Sequence, residues 1–496
     1  MGRKPSSQSG PGVTARFYCQ GIGDCHLLKF TKANGDPFWM LIDCGVHTSV
    51  SGGAAKIREI VADIHAQTGG RLDVIVLTHE HWDHNSGFRS ARDLFETFEI
   101  GEVWLAWTEN PSDGQARDID TFKVEGARAL ALAANKLASI PAASAPFRLS
   151  ALSEGVAQLA GFLGGKDENG LYGVKGERTR DARDALVALG RGKVRYLEPD
   201  MAPFGPDGLS SSVRVYVLGP PRDRALLRTE TNAGEMYGFG ASAGLFAARA
   251  IAHALAPETS GAAERDEFAP FDEDEGYRMA DLSTLEAKKE KGAAKLLEFL
   301  RKHYGPLTEP LGGKEPGRRI DYDWLDGSAE LALQMDRGVN NTSLVLAFEF
   351  VETGRVLLFP GDAQVGNWLS WQKQEWDVAG ARVTGPDLLA RTVFYKVAHH
   401  GSENATLKGK GLEQMTHVDL AAFLPTNEAD AKKVKWGAMP FRPILEALET
   451  RARSRVVRAD DDWIGAAAQP GFAVPSGCLR RVEPGGKGLW VEMDIA

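Results

Sequence analysis

Three imidazoles and two carboxylates crowd the stretch His79-Glu80-His81-Trp82-Asp83-His84, directly after the apolar run 72–77. The whole chain has 11 His in 496 residues, so this spacing is a specific motif and not a drift of composition. A short, continuous apolar run reads as a strand covered on both faces. Residues at the carboxyl end of such a strand project into the crevice where α/β sheets bind their ligands. Imidazole and carboxylate donors suit Zn, Mn, Fe or Ni, and the absence of thiolate from the motif points to catalysis and away from a closed structural site. His79 and His81 can present to one ion while Asp83 and His84 reach a neighbouring one. Trp82 reads as wall or packing.

Two adjacent ions need a bridging carboxylate and further donors. Two other strand ends offer them. Leu357-Leu358-Phe359-Pro360-Gly361-Asp362 sets a carboxylate after an apolar strand, and Val397-Ala398-His399-His400-Gly401-Ser402 sets paired imidazoles in the same place.

The elements that must position these groups follow from residue patterning. Runs 15–19, 25–30 and 38–43 are rich in Phe, Tyr, Leu and Ile, are separated by Gly and Asn-Gly-Asp breaks, and predict hairpin-linked strands. Residues 54–67 carry Ile57, Ile60, Val61 and Ile64 at helical spacing and stop at Gly69-Gly70. Strand patterns return at 343–350, 355–359, 393–398, 418–423, 455–457 and 489–495, with helical ones at 366–376 and 441–452. Between them, residues 110–334 are Ala-rich, charged and helix-like, notably 121–139 and 285–304, with one strand pattern at 212–218 before Gly219-Pro220-Pro221. The acid-rich stretch 258–275 reads as an exposed loop. Sheet-forming material thus lies at the two ends of the chain, and the simplest architecture is one α/β domain interrupted by a large insertion.

The chain resembles the metallo-β-lactamase superfamily, and within it the soluble hydrolase domain of the ComEC DNA-uptake proteins and related phosphorylcholine esterases. The matching pieces are Gly21-Ile22-Gly23-Asp24, Leu41-Ile42-Asp43-Cys44-Gly45, residues 78–87, Asn340-Asn341-Thr342-Ser343-Leu344-Val345-Leu346, Phe359-Pro360-Gly361-Asp362 and Ala398-His399-His400-Gly401-Ser402. The resemblance implies an αββα sandwich interrupted by a large, mainly helical insertion: a disordered leader at 1–14, the first half of the domain at 15–110, the insertion at 111–334 and the second half at 335–496. It further implies that His79 and His81 bind one metal, that Asp83 and His84 bind the other, and that Asp362 bridges them. His400 is the last ligand and His399 contacts substrate or protonates the leaving group, with the reverse assignment as the alternative. Asp43 orients the His cluster, and Asp83 counts as catalytic as well as ligating. Two Zn2+ ions are implied, with Mn2+ or Fe2+ as substitutes. Many members carry a further His between the cluster and the bridging Asp, but Gly219 stands at that place, and His253 and His303 lie in helical patterns.

The activity implied is hydrolysis by a metal-bound hydroxide, on a phosphodiester of nucleic acid or nucleotide-like type. The alternatives are a carbonyl substrate (lactone, thioester or amide) and a non-catalytic binding protein. Lys432, Lys433, Lys435 and Arg442 are candidates for an anion-binding rim, with a solvated face as the plainer reading. Arg178, Arg180, Arg183, Arg191, Lys193 and Arg195 form a second basic stretch interleaved with acids, and Trp368, Trp371 and Trp376 offer rings that could stack a base or fill a core. With 58 Lys+Arg against 67 Asp+Glu, bulk electrostatics do not favour nucleic acid. Four dispersed Cys suit buried thiols. No apolar run is long enough to span a bilayer, and the polar start lacks the apolar core of a signal peptide, so a cytoplasmic protein without membrane contact is expected.

Overall fold

The computed structural model describes residues 12–139, 177–229, 293–304, 338–433 and 439–496. The first strands are β1 (Val13–Tyr18), β2 (Cys25–Thr31), β3 (Pro37–Cys44), β4 (Arg71–Val76), β5 (Glu99–Ala106) and β6 (Val194–Leu197). They are followed by β7 (Val213–Gly219), β8 (Val345–Phe350), β9 (Val356–Phe359), β10 (Glu375–Val378) and β11 (Ala381–Thr384). The last are β12 (Thr392–Lys396), β13 (Ala421–Leu424), β14 (Val456–Arg458), β15 (Leu479–Gly485) and β16 (Trp490–Ile495). One sheet has the order β15-β16-β1-β2-β3-β4-β5-β6, the other β14-β13-β12-β9-β8-β7, and β10-β11 is a separate hairpin. Pairing is parallel from β3 to β6 and from β9 through β12 and β13 to β14, and antiparallel elsewhere.

Alternation along the strands explains the layering. Val13, Ala15 and Phe17 of β1, Leu28 and Phe30 of β2, and Met40 and Ile42 of β3 share one buried cluster with Leu346, Phe348, Leu357, Phe359, Phe394 and Phe423 of the opposing sheet. This is the seam between the sheets, and Phe17 lies in it with Phe423 4.3 Å and Phe394 5.4 Å away, centroid to centroid. The outward residues are apolar too, so helices cover both outer faces. Helix α1 (Gly53–Thr68) buries Ile57, Ile60, Val61 and Ile64 against Leu41, Leu72 and Ile75. Helix α2 (Trp82–Ser90) lies beside it. Helices α3 (Gly114–Ser139), α4 (Glu177–Leu189) and α5 (Ala293–Tyr304) follow, and α6 (Val365–Trp371) and α7 (Arg442–Arg451) cover the second sheet. Among the described residues no helix is long and apolar enough to cross a membrane.

The structure departs from the sequence expectations at four places. The chain enters β1 at Val13, so the last two residues assigned to the leader are sheet. The stretch 111–334 is not set apart from the sheets: the strand expected at 212–218 is β7 and pairs with β8, and β6, which the sequence pattern did not show, pairs with β5, giving each sheet an edge strand. The helix expected at 366–376 stops at Trp371, because Ala379 (φ 54°) and Gly380 (φ 83°) make the two-residue turn that pairs β10 with β11. Strands β5, β6 and β15 carry too many charged or glycine positions to stand out by apolar pattern. Residues 1–11, His253, the acid-rich 258–275 and Lys435 lie outside the described residues.

Because Phe17 is fully buried at the seam, Phe17→Ala is expected to cost about 3–5 kcal/mol of stability, read as a lower urea midpoint followed by circular dichroism. An unchanged midpoint would show that the seam is not where the two sheets are held.

Candidate metal centre

Five loops converge at one end of the seam. They follow β1, β3, β4, β9 and β12, and together with Asp43 at the end of β3 and Asp83 and His84 in the first turn of α2 they gather Asp24, His79, His81, Asp362, His399 and His400 into a buried cluster. Close approach depends on glycine. A Cβ on Gly45 would sit 2.2 Å from the Asp83 carbonyl carbon, so only glycine lets this loop press on the start of α2. Backbone bonds then lock the contact: Asp24 N–H donates to Asp83 O at 3.0 Å and Gly45 N–H to Asp24 O at 2.9 Å. Asp43, His399 and His400 have φ of 56°, 42° and 51°, a region that costs a residue with a Cβ roughly 1–3 kcal/mol. Three strained residues at one site mark it as selected for something other than stability.

Asp83, His84, Asp362 and His400 each offer a ligand atom, all within 4.8 Å of one another. His400 Nδ1–H donates to Pro425 O at 2.7 Å, which aims Nε2 at Asp83 Oδ2, 3.0 Å away. His84 Nδ1 meets Asp43 Oδ2 at 2.8 Å, and its Nε2 faces Asp362 at 3.2 Å and Asp83 at 3.8 Å. Asp43 also accepts from Thr78 N–H (2.8 Å) and Thr78 Oγ1–H (2.7 Å), and that hydroxyl lies 3.1 Å from His79 Nδ1. One carboxylate therefore orients His84 directly and His79 through Thr78, the partner that ligating imidazoles need on their second nitrogen. The His79 ring lies 4.2 Å from His84 and 4.8 Å from His81, centroid to centroid, so the two imidazoles border the four-residue group without belonging to it.

The electrostatics call for cations. Asp24, Asp43, Asp83 and Asp362 are all buried, and the buried ammonium beside them is Lys396, which pairs with Asp24 Oδ2, donates to Gly361 O at 3.0 Å and lies 3.6 Å from Asp362 Oδ1. Burial pushes the Asp24 and Asp83 carboxyls up, yet neighbouring Lys396 and His84 hold Asp24 well below its usual range, and His84 and His400 hold Asp83 at about 2. Burial also pulls His84 down, but Asp362, Asp24, Asp83 and Asp43 outweigh it and lift it well above the ordinary imidazole value. Burial prevails at His81 and His399, which drop to about 3 and about 4, and at His79, which falls well below its usual value. Asp83 Oδ1 and His79 Nε2 are buried with no hydrogen-bond partner. Excess carboxylate, neutral imidazoles and orphaned donor atoms are the chemistry of a divalent-metal site, and the residues fit one.

The other candidates that the sequence offered fall elsewhere. His399 packs between Asn340 Nδ2, 3.4 Å from its Nε2, and Gln364 Nε2, 3.3 Å from its Nδ1. Gly219 brings no ligand from this strand end, and a Cβ there would meet Asn367 Oδ1 at 2.2 Å, so a larger residue would require Asn367 to move. His303 lies on α5 beside Phe299, 4.5 Å between ring centroids. Trp368, Trp371 and Trp376 are core, buried under the second sheet, with Trp368 Nε1–H bonded to Ala405 O. Lys432, Lys433 and Arg442 each pair with a local acid, Glu428, Asp430 and Glu446. In the basic stretch at 178–195, Arg180 holds Asp120 at 2.7 Å, Arg183 holds Glu80 at 2.6 Å and Arg195 lies over Phe204, while Arg191 and Lys193 are exposed. Sequence reasoning missed Asp24, Lys396 and Glu80 as parts of the site. A lone lysine inside an apolar strand and an acid between two imidazoles were the available signals.

Residues 21–100 match the family profile described as Metallo-beta-lactamase superfamily. No curated protein and no solved structure matches the chain. The matched segment holds Asp24, Asp43 and the cluster 79–84, while Asp362 and His400 join it through the fold.

Asp43→Asn keeps the shape and removes the charge that His84 and Thr78 point into. It is expected to weaken zinc affinity about 10–100-fold, measured by competition with a chromogenic chelator. Unchanged affinity would remove Asp43 from the site.

Proposed function

We propose that this chain is a metal-dependent hydrolase of the metallo-β-lactamase type, with His79 and His81 serving one ion, Asp83, His84 and His400 the other, and Asp362 between them. The observation that carries this reading is the convergence of Asp83, His84, Asp362 and His400 ligand atoms within 4.8 Å. Divalent ions held there supply Lewis acidity toward a scissile ester and activate water near neutral pH. Zn2+ is the proposed ion, with Mn2+ or Fe2+ able to replace it.

The chain's own residues fix the rest. Asp43 and Thr78 hold His79 and His84 in one tautomer, and Pro425 O does the same for His400. His399, set between the Asn340 and Gln364 amides beside His400, contacts substrate or protonates the leaving group in this reading. Lys396 balances part of the carboxylate charge from beneath without reaching solvent. Two divalent ions would more than offset the three carboxylate charges left after Lys396, so the loaded centre would favour an anion. That balance, with the likeness of the 340–346 and 398–402 motifs to ComEC-type hydrolases, supports a phosphodiester substrate. The local pairing of exposed Lys432, Lys433 and Arg442 fits the solvated face and not an anion-binding rim, which keeps an uncharged carboxylic ester as the second reading.

Purified protein is expected to carry about two metals per chain by plasma mass spectrometry and to cleave bis-p-nitrophenyl phosphate faster than a p-nitrophenyl carboxylate. Chelation should abolish turnover and added Zn or Mn restore it. Asp362→Asn and His400→Ala should each lower turnover by at least about 100-fold with an unchanged circular dichroism spectrum. Faster cleavage of the carboxylate ester would select the second reading, and absent metal with absent turnover would reject both.

A further inference from the structure

Glu80 stands between two proposed ligands, yet its side chain faces away from them into a buried ring of charge. Its Oε2 lies 3.0 Å from Lys123 Nζ on α3 and its Oε1 lies 2.6 Å from Arg183 on α4. Lys123 and Arg183 each reach on to Glu109, at 2.6 and 3.0 Å. The four side chains are between 3 % and 13 % exposed, and acid and base alternate around the ring. Beside it Arg180 of α4 pairs with Asp120 of α3, which ties the two helices together.

Helix α4 also packs on α2, which directly follows this loop, at three further points. The Arg178 guanidinium lies 4.9 Å from the Trp82 ring, Thr179 O accepts from Asn85 Nδ2 at 2.9 Å, and Asp181 faces Arg89 at 3.7 Å. Asn85 Nδ2 also donates to the Glu80 carbonyl at 3.2 Å. A buried ion ring stabilises a fold no better than apolar side chains of the same volume, so glue alone is a poor reason to bury four charges. What such a ring provides is position: Lys123 donates to both Glu80 and Glu109, Arg183 Nη1 faces the same two acids, and a shift of the loop would leave these buried charges unpaired. The imidazoles flanking Glu80 need that help most: they stand outside the four-residue ligand group, and Gly219 supplies no third imidazole.

We infer that the Glu80–Lys123–Glu109–Arg183 ring is the positioning device for His79 and His81, so that the packing of α3 and α4 sets the affinity of the metal position those imidazoles serve. The inference rests on the two-metal reading above and adds a dependence of one metal position on helices remote from it. Glu80 and Arg183 are positioning residues, because they act through the loop. By reciprocity of linkage, metal at that position stabilises α4 on the loop.

The test uses the full chain stripped of metal and titrated with zinc alone, as wild type, Glu80→Gln and Arg183→Lys. Wild type is expected to take up two zinc ions. Each variant should keep one at wild-type affinity and bind the other about 10–100-fold more weakly. Hydrogen exchange of α4 should slow on zinc addition in wild type and respond less in the variants, a difference that a merely structural role would not produce. Arg183→Lys keeps the charge and serves if Glu80→Gln does not fold. Two zinc ions at wild-type affinity in a folded variant would overturn this inference alone. Wild type that binds no zinc would overturn it together with the metallohydrolase reading.

Discussion

Four carboxylates in one dry crevice are the constraint around which the molecule is arranged. Each buried ion would cost several kcal/mol if left uncompensated, and here Asp24 with Asp43, and Asp83 with Asp362, form two buried groups that share His84. Everything nearby answers that charge. Lys396 rises from β12 to meet Asp24 and Asp362, His84 sits with an acid on each ring nitrogen, and His400 turns its Nε2 to Asp83. The sandwich has to be rigid for this to persist, since a crevice able to open would let the acids separate into water. The aromatic seam at Phe17, Phe359, Phe394 and Phe423 supplies that rigidity directly beneath the loops.

The same constraint explains what could and could not be read from the chain alone. Apolar period and glycine breaks mark strands and helices because burial acts on neighbouring residues, so β1 to β4 and α1 were legible within a residue or two. The cluster 79–84 was legible because its donors are contiguous. Asp362 and His400 were legible only as strand ends. Their meeting with Asp83 closes a loop of 317 residues between Asp83 and His400 and depends on two sheets packing in one register. The partners of charges were illegible. Arg180, Arg183 and Arg195 looked like an interleaved basic surface, but an arginine's carboxylate need not be near it in sequence, and Arg183 finds Glu109 74 residues away.

Edge strands escaped detection for a related reason. β6 is only half buried, and its own Arg195 and the preceding Lys193 pattern as surface. Yet β6 and β7 return the chain to both sheets from within the stretch read as an insertion. That return matters for the site. Because β6 pairs with β5, which pairs with β4, helix α4 reaches the cluster from a strand of the same sheet, with Gly190 packed on Val103.

Strain and charge then support each other. Left-handed backbone at Asp43, His399 and His400 is unfavourable for each residue alone. It is held because the side chain it aims is more costly anywhere else: Asp43 would leave His84 and the Thr78 N–H without an acceptor, and His400 would leave Pro425 O without a donor. A site of this kind resists drift by small steps, since removing one member leaves its partner buried and unsatisfied. The same holds one layer out, where Glu80, Lys123, Glu109 and Arg183 are buried and paired, so a change at one leaves another uncompensated.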